Sequence, residues 1–208
     1  MKRFVLIFAI LISASCAGQQ IKPYVIPQHV QERTPDILSN YTSAVACMDI
    51  KKDGETLRLG LNPGKKPNAW VNEEDNIIIT EGLFQFDNDT ITFVLAHELS
   101  HIKLKHIQNK QAVSLATTGA FIVAGAFIPG IGLLNYAVNP AVTNNYSKVQ
   151  EYEADKLASE TLIRCFNISL DRQIEILQSM QAATKDGGGF WDQHPSWDNR
   201  IKNINNKP

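Results

Sequence analysis

Val94-Leu95-Ala96-His97-Glu98-Leu99-Ser100-His101-Ile102 lies in a segment where Val94, Leu95, Leu99, Ile102 and Leu104 recur at helical spacing, from Ile91 to about Gln108. Asn88, Asp89 and Thr90 offer caps for the start of that helix. Residues four apart share a helix face, so imidazoles at 97 and 101 can reach one cation. Glu98 lies one step round, placed to face a water in the cation's open coordination position. There it would accept the water's proton and pass it to a leaving amine, while zinc lowers the water's pKa toward neutrality. The bland alternative is a surface helix with two coincidental histidines. The helical apolar pattern and the uncharged variable positions argue against it.

A catalytic zinc needs a third protein ligand. The extended metzincin motif would require Gly at 104 and His at 107, and the chain has Leu104 and Ile107. His106 is one place off and reads as a surface histidine facing elsewhere. Further on, Glu151-Tyr152-Glu153-Ala154-Asp155 offers carboxylates on a predicted helix, Ser147 to Phe166. Glu151 and Asp155 are four apart and share a face, so one can bind the ion while the other orients a histidine through its free N–H. Glu153 points away, and Ala154 lets this helix approach the first one closely. An acidic solvated face would be the reading if the segment stood alone.

Working outward, residues 17–35 are rich in Gln, Pro and Gly and read as a tether, running into a short helix from Asp36. Val45 to Lys51 and Thr56 to Leu61 look like strands, with Asp53-Gly54 as a hairpin signal between them. Ala69 to Val71 and Ile77 to Thr80 form a second strand pair around the turn Glu73 to Asn76. Leu115 to Val142 is apolar but interrupted by Pro129-Gly130 and other small residues. It reads as a packed helical hairpin, with membrane contact or a span as alternatives. Leu170 to Ala183 is a further helix, and Gly187 to Gly189 a joint before His194, Pro195 and Arg200. The fold expected is α+β: a mainly helical domain with a small antiparallel sheet beside the active-site helix.

At the start of the chain, Lys2 and Arg3 precede an apolar run, Phe4 to Ile12, too short for the roughly 20 residues of a spanning helix. Ser13, Ala14 and Ser15 then lead to Cys16. That ending resembles the lipobox of bacterial lipoproteins, with Cys16 the lipidated residue; ordinary cleavage near Ala17 is the alternative. The division expected is 1–15 signal peptide, 16–44 lipidated tether, and 45–208 catalytic domain. Lipid on Cys16 leaves Cys47 and Cys165 as a candidate disulfide in an oxidising compartment. With 20 basic and 21 acidic residues and no cationic block, nucleic acid is an unexpected partner.

The order Asn68-Ala69-Trp70, Ile78 to Leu83, His97 to His101, Glu151 to Asp155, then His194-Pro195 with Arg200 resembles the HtpX/BepA-type zinc metallopeptidases, whose relatives include the CAAX prenyl proteases. The similarity runs from roughly residue 45 to 203, and the chain is expected to be close to a minimal catalytic unit. The resemblance implies one zinc ion held by His97, His101 and Glu151, with Glu98 as general base and Asp155 holding a ligating histidine. His194 and Arg200 would stabilise the oxyanion, or His194 would cap the zinc at rest. It further implies an endopeptidase with unfolded or misfolded envelope proteins as substrates. The lipobox-like ending, with Ala17 rather than Asp after Cys16, resembles lipoproteins sorted to the periplasmic side of the outer membrane, with a soluble periplasmic or secreted protein as the alternative. The competing reading is a catalytically latent zinc-binding chaperone or interaction lipoprotein.

Overall fold

The computed structural model describes residues 24–51, 57–72, 74–106, 146–183 and 196–205. The leader with Cys16, the Asp53-Gly54 turn, the apolar stretch 115–142, the glycine joint and His194 lie outside the described residues.

Helix α1, Gln28–Cys47, opens the described part of the chain. Its buried residues Val30, Ile37, Tyr41 and Ala44 recur at helical spacing and join the main core. Two expectations fail here. The tether reading covered residues through 35, yet the helix is already formed at Gln28 and continues through Pro35. Arg33 anchors this part, donating to the Phe84 carbonyl at 2.6 Å and to Asn88 Oδ1 at 2.6 and 3.0 Å. Val45 to Cys47, expected as the start of a strand, is the last turn of α1 instead. A short apolar run carries no period of its own, and the stripe already established along α1 decides its conformation.

Three short strands follow: β1 (Leu59–Asn62), β2 (Ala69–Val71) and β3 (Ile77–Thr80), in the order β1-β3-β2. The β2–β3 pair is antiparallel with Trp70 opposite Ile78, as the turn residues between them predict. Asn72 Oδ1 holds that turn by accepting from the amides of Glu74 and Asn76, at 3.1 and 2.8 Å. The sheet is mixed rather than wholly antiparallel, because β1 runs parallel to β3 with Leu59 opposite Ile77. Thr80 Oγ1 pins the loop before β2, accepting from the Asn68 amide at 2.8 Å and donating to the Lys66 carbonyl at 2.8 Å. Beyond β3 a 3-10 turn, Glu81–Gln85, presses against the same loop. A Cβ on Gly82 would stand 2.2 Å from the Lys65 carbonyl oxygen, so only glycine allows that approach.

Helix α2, Asn88–Lys103, is the centre of the molecule. Asp87 caps it, accepting from the Thr90 amide at 2.8 Å, and every residue from Thr90 to Ile102 is buried. Helix α3, Lys148–Phe166, begins with a capping box between Ser147 and Gln150 and ends at Asn167 in the left-handed conformation, φ 55°. Ala154 and Ala158, both fully buried, lie one turn apart and let α3 lie close along α2. Helix α4, Leu170–Ala183, buries Ile176, Leu177 and Met180 and is tied to the N-terminus of α2 by Arg172, which pairs with Asp87 and Asp89. The short α5, Trp197–Asn205, brings Arg200 and Ile204 inside. Among the described residues, no helix is long and apolar enough to cross a membrane.

Cys47 at the end of α1 and Cys165 near the end of α3 form a disulfide, closing a ring with a sequence separation of 118. Cross-linking so long a ring removes much of the entropy of the unfolded chain. Reduction, or the Cys47→Ser/Cys165→Ser pair, is expected to lower stability by about 4 kcal/mol, read from urea midpoints with and without reductant.

Candidate metal centre

Helical spacing on α2 and the close approach of α3 converge on one point. His97 and His101 turn their Nε2 atoms toward each other at 3.1 Å. From α3, Glu151 places Oε2 3.4 Å from His97 Nε2 and Oε1 3.6 Å from His101 Nε2. All three residues are buried. Two nitrogens and an oxygen, each about 2.1 Å from a tetrahedral ion, would be separated by about 3.4 Å. The observed separations lie within a few tenths of an ångström of that value, so the donor set fits a divalent metal ion. Two neutral imidazoles and one carboxylate also leave a fourth position open.

Glu98 lies beside this triangle with 2% of its surface exposed. Burial pushes its carboxyl up to about 7, with Glu151 adding to the rise; His97, Arg200 and the Val71 amide of strand β2 act against it. Without metal, Glu98 therefore holds its proton more firmly than an exposed carboxyl does.

His97 Nδ1 lies 3.0 Å from Asp155 Oδ1, one turn after Glu151 on α3. Asp155 in turn receives Arg200 of α5: Nε donates to its two oxygens at 3.2 and 2.9 Å, and a terminal nitrogen to Oδ1 at 2.5 Å. Burial disfavours the charged carboxylate, but the Arg200 guanidinium and the His97 bond hold Asp155 at about 2. For His97, burial would lower the pKa, and the bonds to Asp155 and Glu151 carry it instead to about 9.

Arg200 was expected at the oxyanion. The structure places it on Asp155, with a terminal nitrogen 3.4 Å from His97 Nδ1. That is the ring nitrogen opposite the one facing the metal position, so Arg200 supports the carboxylate that orients His97. It is 1% exposed and lies 5.5 Å from the Trp197 ring and 5.9 Å from that of Phe93.

Two residues near the site were missed. His106, expected on the surface and facing elsewhere, is 2% exposed and lies with Nδ1 2.9 Å from His101 Nδ1. The expectation extrapolated α2 to Gln108, but the helix ends at Lys103. Lys105 then takes φ 58°, which turns the chain back over the helix end. Burial lowers the His106 pKa, opposed by Glu153. Tyr146, just before the Ser147 cap of α3, stacks on His101 with centroids 3.7 Å apart and planes 14° apart. No spacing rule in the sequence marks it.

Two outcomes follow from the charges. Arg200→Met leaves Asp155 buried without its cation and is expected to cost about 3–5 kcal/mol in urea unfolding, whereas Arg172→Met at the exposed Asp87/Asp89 cluster is expected to cost about 1 kcal/mol or less. Because the bonds to Asp155 and Glu151 favour the charged form of His97, which must be neutral to ligate, ion uptake is expected to release protons, measured calorimetrically in buffers of different ionisation enthalpy.

The chain is 24% identical to metalloprotease LoiP of Escherichia coli over 164 residues, 74% of this chain and 64% of that one. It is 28% identical to the mitochondrial metalloendopeptidase OMA1 of Schizosaccharomyces pombe over 145 residues, 66% of this chain and 42% of that one. This chain therefore spans less than two thirds of the length of either relative. The model of peptidase family M48 matches residues 32–207, which takes in α1 from Glu32 onward, the sheet and every metal-centre residue named above. The chain belongs to peptidase family M48.

Proposed function

We propose that this protein is a zinc-dependent endopeptidase of the bacterial cell envelope, anchored through a lipid on Cys16 at the periplasmic side of the outer membrane and cutting unfolded or misfolded proteins there. The observation that carries the reading is the buried Glu98 carboxylate beside the triangle of His97, His101 and Glu151. When bound, zinc supplies the Lewis acidity that polarises a peptide carbonyl and brings the pKa of water toward neutrality. Glu98 takes the proton of the attacking water and returns it to the departing amine, a double task suited to a buried carboxylate beside the ion. His97 and His101 are held for the ion by partners on their other ring nitrogens. His194 donates to the oxygen that gains charge as the carbonyl becomes tetrahedral.

Substrate is held in extended form along β2, an edge of the three-stranded sheet. Trp70 faces Ile78 of β3 in the pairing register, and the Val71 amide reaches Glu98 rather than β3, so the outer edge of the strand runs past the catalytic carboxylate. An extended backbone laid there delivers a peptide bond to the site without base-like or side-chain-specific recognition. That suits substrates defined by being unfolded. The disulfide between Cys47 and Cys165 accords with an oxidising compartment outside the cytoplasm.

Glu98→Gln is expected to retain zinc and lose at least about a hundredfold in turnover of an unfolded β-rich protein. Persistent cleavage in that variant would overturn the mechanism, and zinc binding with no Glu98-dependent cleavage in the wild type would favour a latent binding module. His194→Ala should lower turnover as well; a gain would identify that residue as a latch on the zinc.

A pH measurement reports on the same carboxyl. Glu98 titrates near 4.5 in an unfolded chain and near 7 in the folded metal-free protein, so the folded state holds an extra proton between those values. Stability is therefore lost as pH rises from about 4.5 to about 7 and stays lost above. Metal-free Glu98→Gln should match the wild type near pH 4 and exceed it by about 3 kcal/mol near pH 8, at about 1.4 kcal/mol per pKa unit.

A further inference from the structure

His101 has a different support from His97. Where His97 leans on a buried carboxylate, His101 Nδ1 meets another imidazole, His106 Nδ1, at 2.9 Å. The second nitrogen of His106 lies 3.3 Å from Oε2 of Glu153, a side chain about half exposed on α3. Tyr146 covers a face of the His101 ring.

The directions of these contacts are fixed by counting hydrogens. To ligate through Nε2, His101 must present a lone pair there, so its hydrogen is on Nδ1. Two ring nitrogens in contact need one donor and one acceptor, so His106 Nδ1 accepts. The hydrogen of neutral His106 then lies on Nε2 and is donated to Glu153. Each group in the chain from Glu153 to the metal position has one consistent role, and no alternative tautomer of His106 satisfies both of its contacts.

We propose that His106, set by Glu153, is a positioning residue that fixes the tautomer and ring orientation of His101 for metal binding. The proposal rests on the reading of His97, His101 and Glu151 as metal ligands. It gives Glu153, which the sequence pattern turned away from the site, a role through His106. It also explains the left-handed turn at Lys105: continuing α2 would carry residue 106 past the face on which His101 lies.

The test is zinc affinity of the purified protein, measured by competition with a chromogenic chelator, together with the visible spectrum of the cobalt-substituted form. Asparagine can place an amide oxygen where Nδ1 of histidine stood; phenylalanine keeps the ring volume and offers no acceptor. His106→Asn is therefore expected to remain within roughly threefold of wild-type affinity, and His106→Phe to lose roughly 10- to 100-fold with an altered cobalt spectrum. A role in packing alone predicts the reverse order, and that order, or equal affinities, would overturn the proposal. Should His106→Phe fail to fold, Glu153→Ala on the surface is expected to weaken zinc roughly three- to tenfold, with the unfolding midpoint of the metal-free protein unchanged. Unchanged affinity in that variant would overturn it equally. A wild type that binds no zinc would sink the metal-centre reading itself, a result separate from a zinc-binding wild type indifferent to residue 106.

Discussion

A carboxylate without access to water is stable only with a cation beside it, and Asp155 is such a group. Its requirement links three helices. Asp155 comes from α3, His97 from α2 and Arg200 from α5, and their bonds lie at the point where these helices meet. Glu151 is one turn from Asp155, so the geometry that satisfies the ion pair also sets the third donor against the two histidines. The candidate metal centre thus depends on a charge pair set behind its three donors. The pair contributes little net stability compared with an apolar contact of the same size, but losing either partner is costly. That asymmetry favours a single arrangement of the helices over slightly shifted ones.

The two imidazoles are supported in chemically different ways. Asp155 gives His97 an anionic acceptor, which requires Arg200 as a counter-charge in the interior. His106 gives His101 a neutral acceptor and needs no such cation; its own partner, Glu153, stays at the surface. The His97 ring is accordingly the more electron-rich of the two. The interior has to accommodate one ion pair instead of two.

Much of this site was legible in the sequence because it depends on helical periodicity. His97 and His101, then Glu151 and Asp155, are pairs spaced by four, and Ala154 marks where their helices approach. Features that depend on the ends of elements were not legible. His106 was misplaced because nothing in Leu104-Lys105 announces that the helix stops before it; lysine at φ 58° is a conformation favoured by tertiary contacts rather than by its residue type. Val45 to Cys47 was misread because a short apolar run suits a strand or a helix, and the deciding stripe lies far upstream. The β2–β3 pair was found from its turn, whereas the parallel pairing of β1 with β3 has no local signal. Arg200 was picked out as belonging to the site, but its place behind His97 follows from packing of α5 on α3.

The disulfide has a consequence for how the protein reports on itself. Cys47 and Cys165 enclose β1, β2, β3, α2 and most of α3 in one covalent ring. A single peptide bond cut inside that ring leaves both fragments joined, so the product runs as one chain on a non-reducing gel and gains only the mass of a water molecule. A cut anywhere between Cys47 and Cys165 would be invisible until reductant is added. Separation of two pieces after reduction would then distinguish a nicked molecule, still held together around its metal centre, from an intact one.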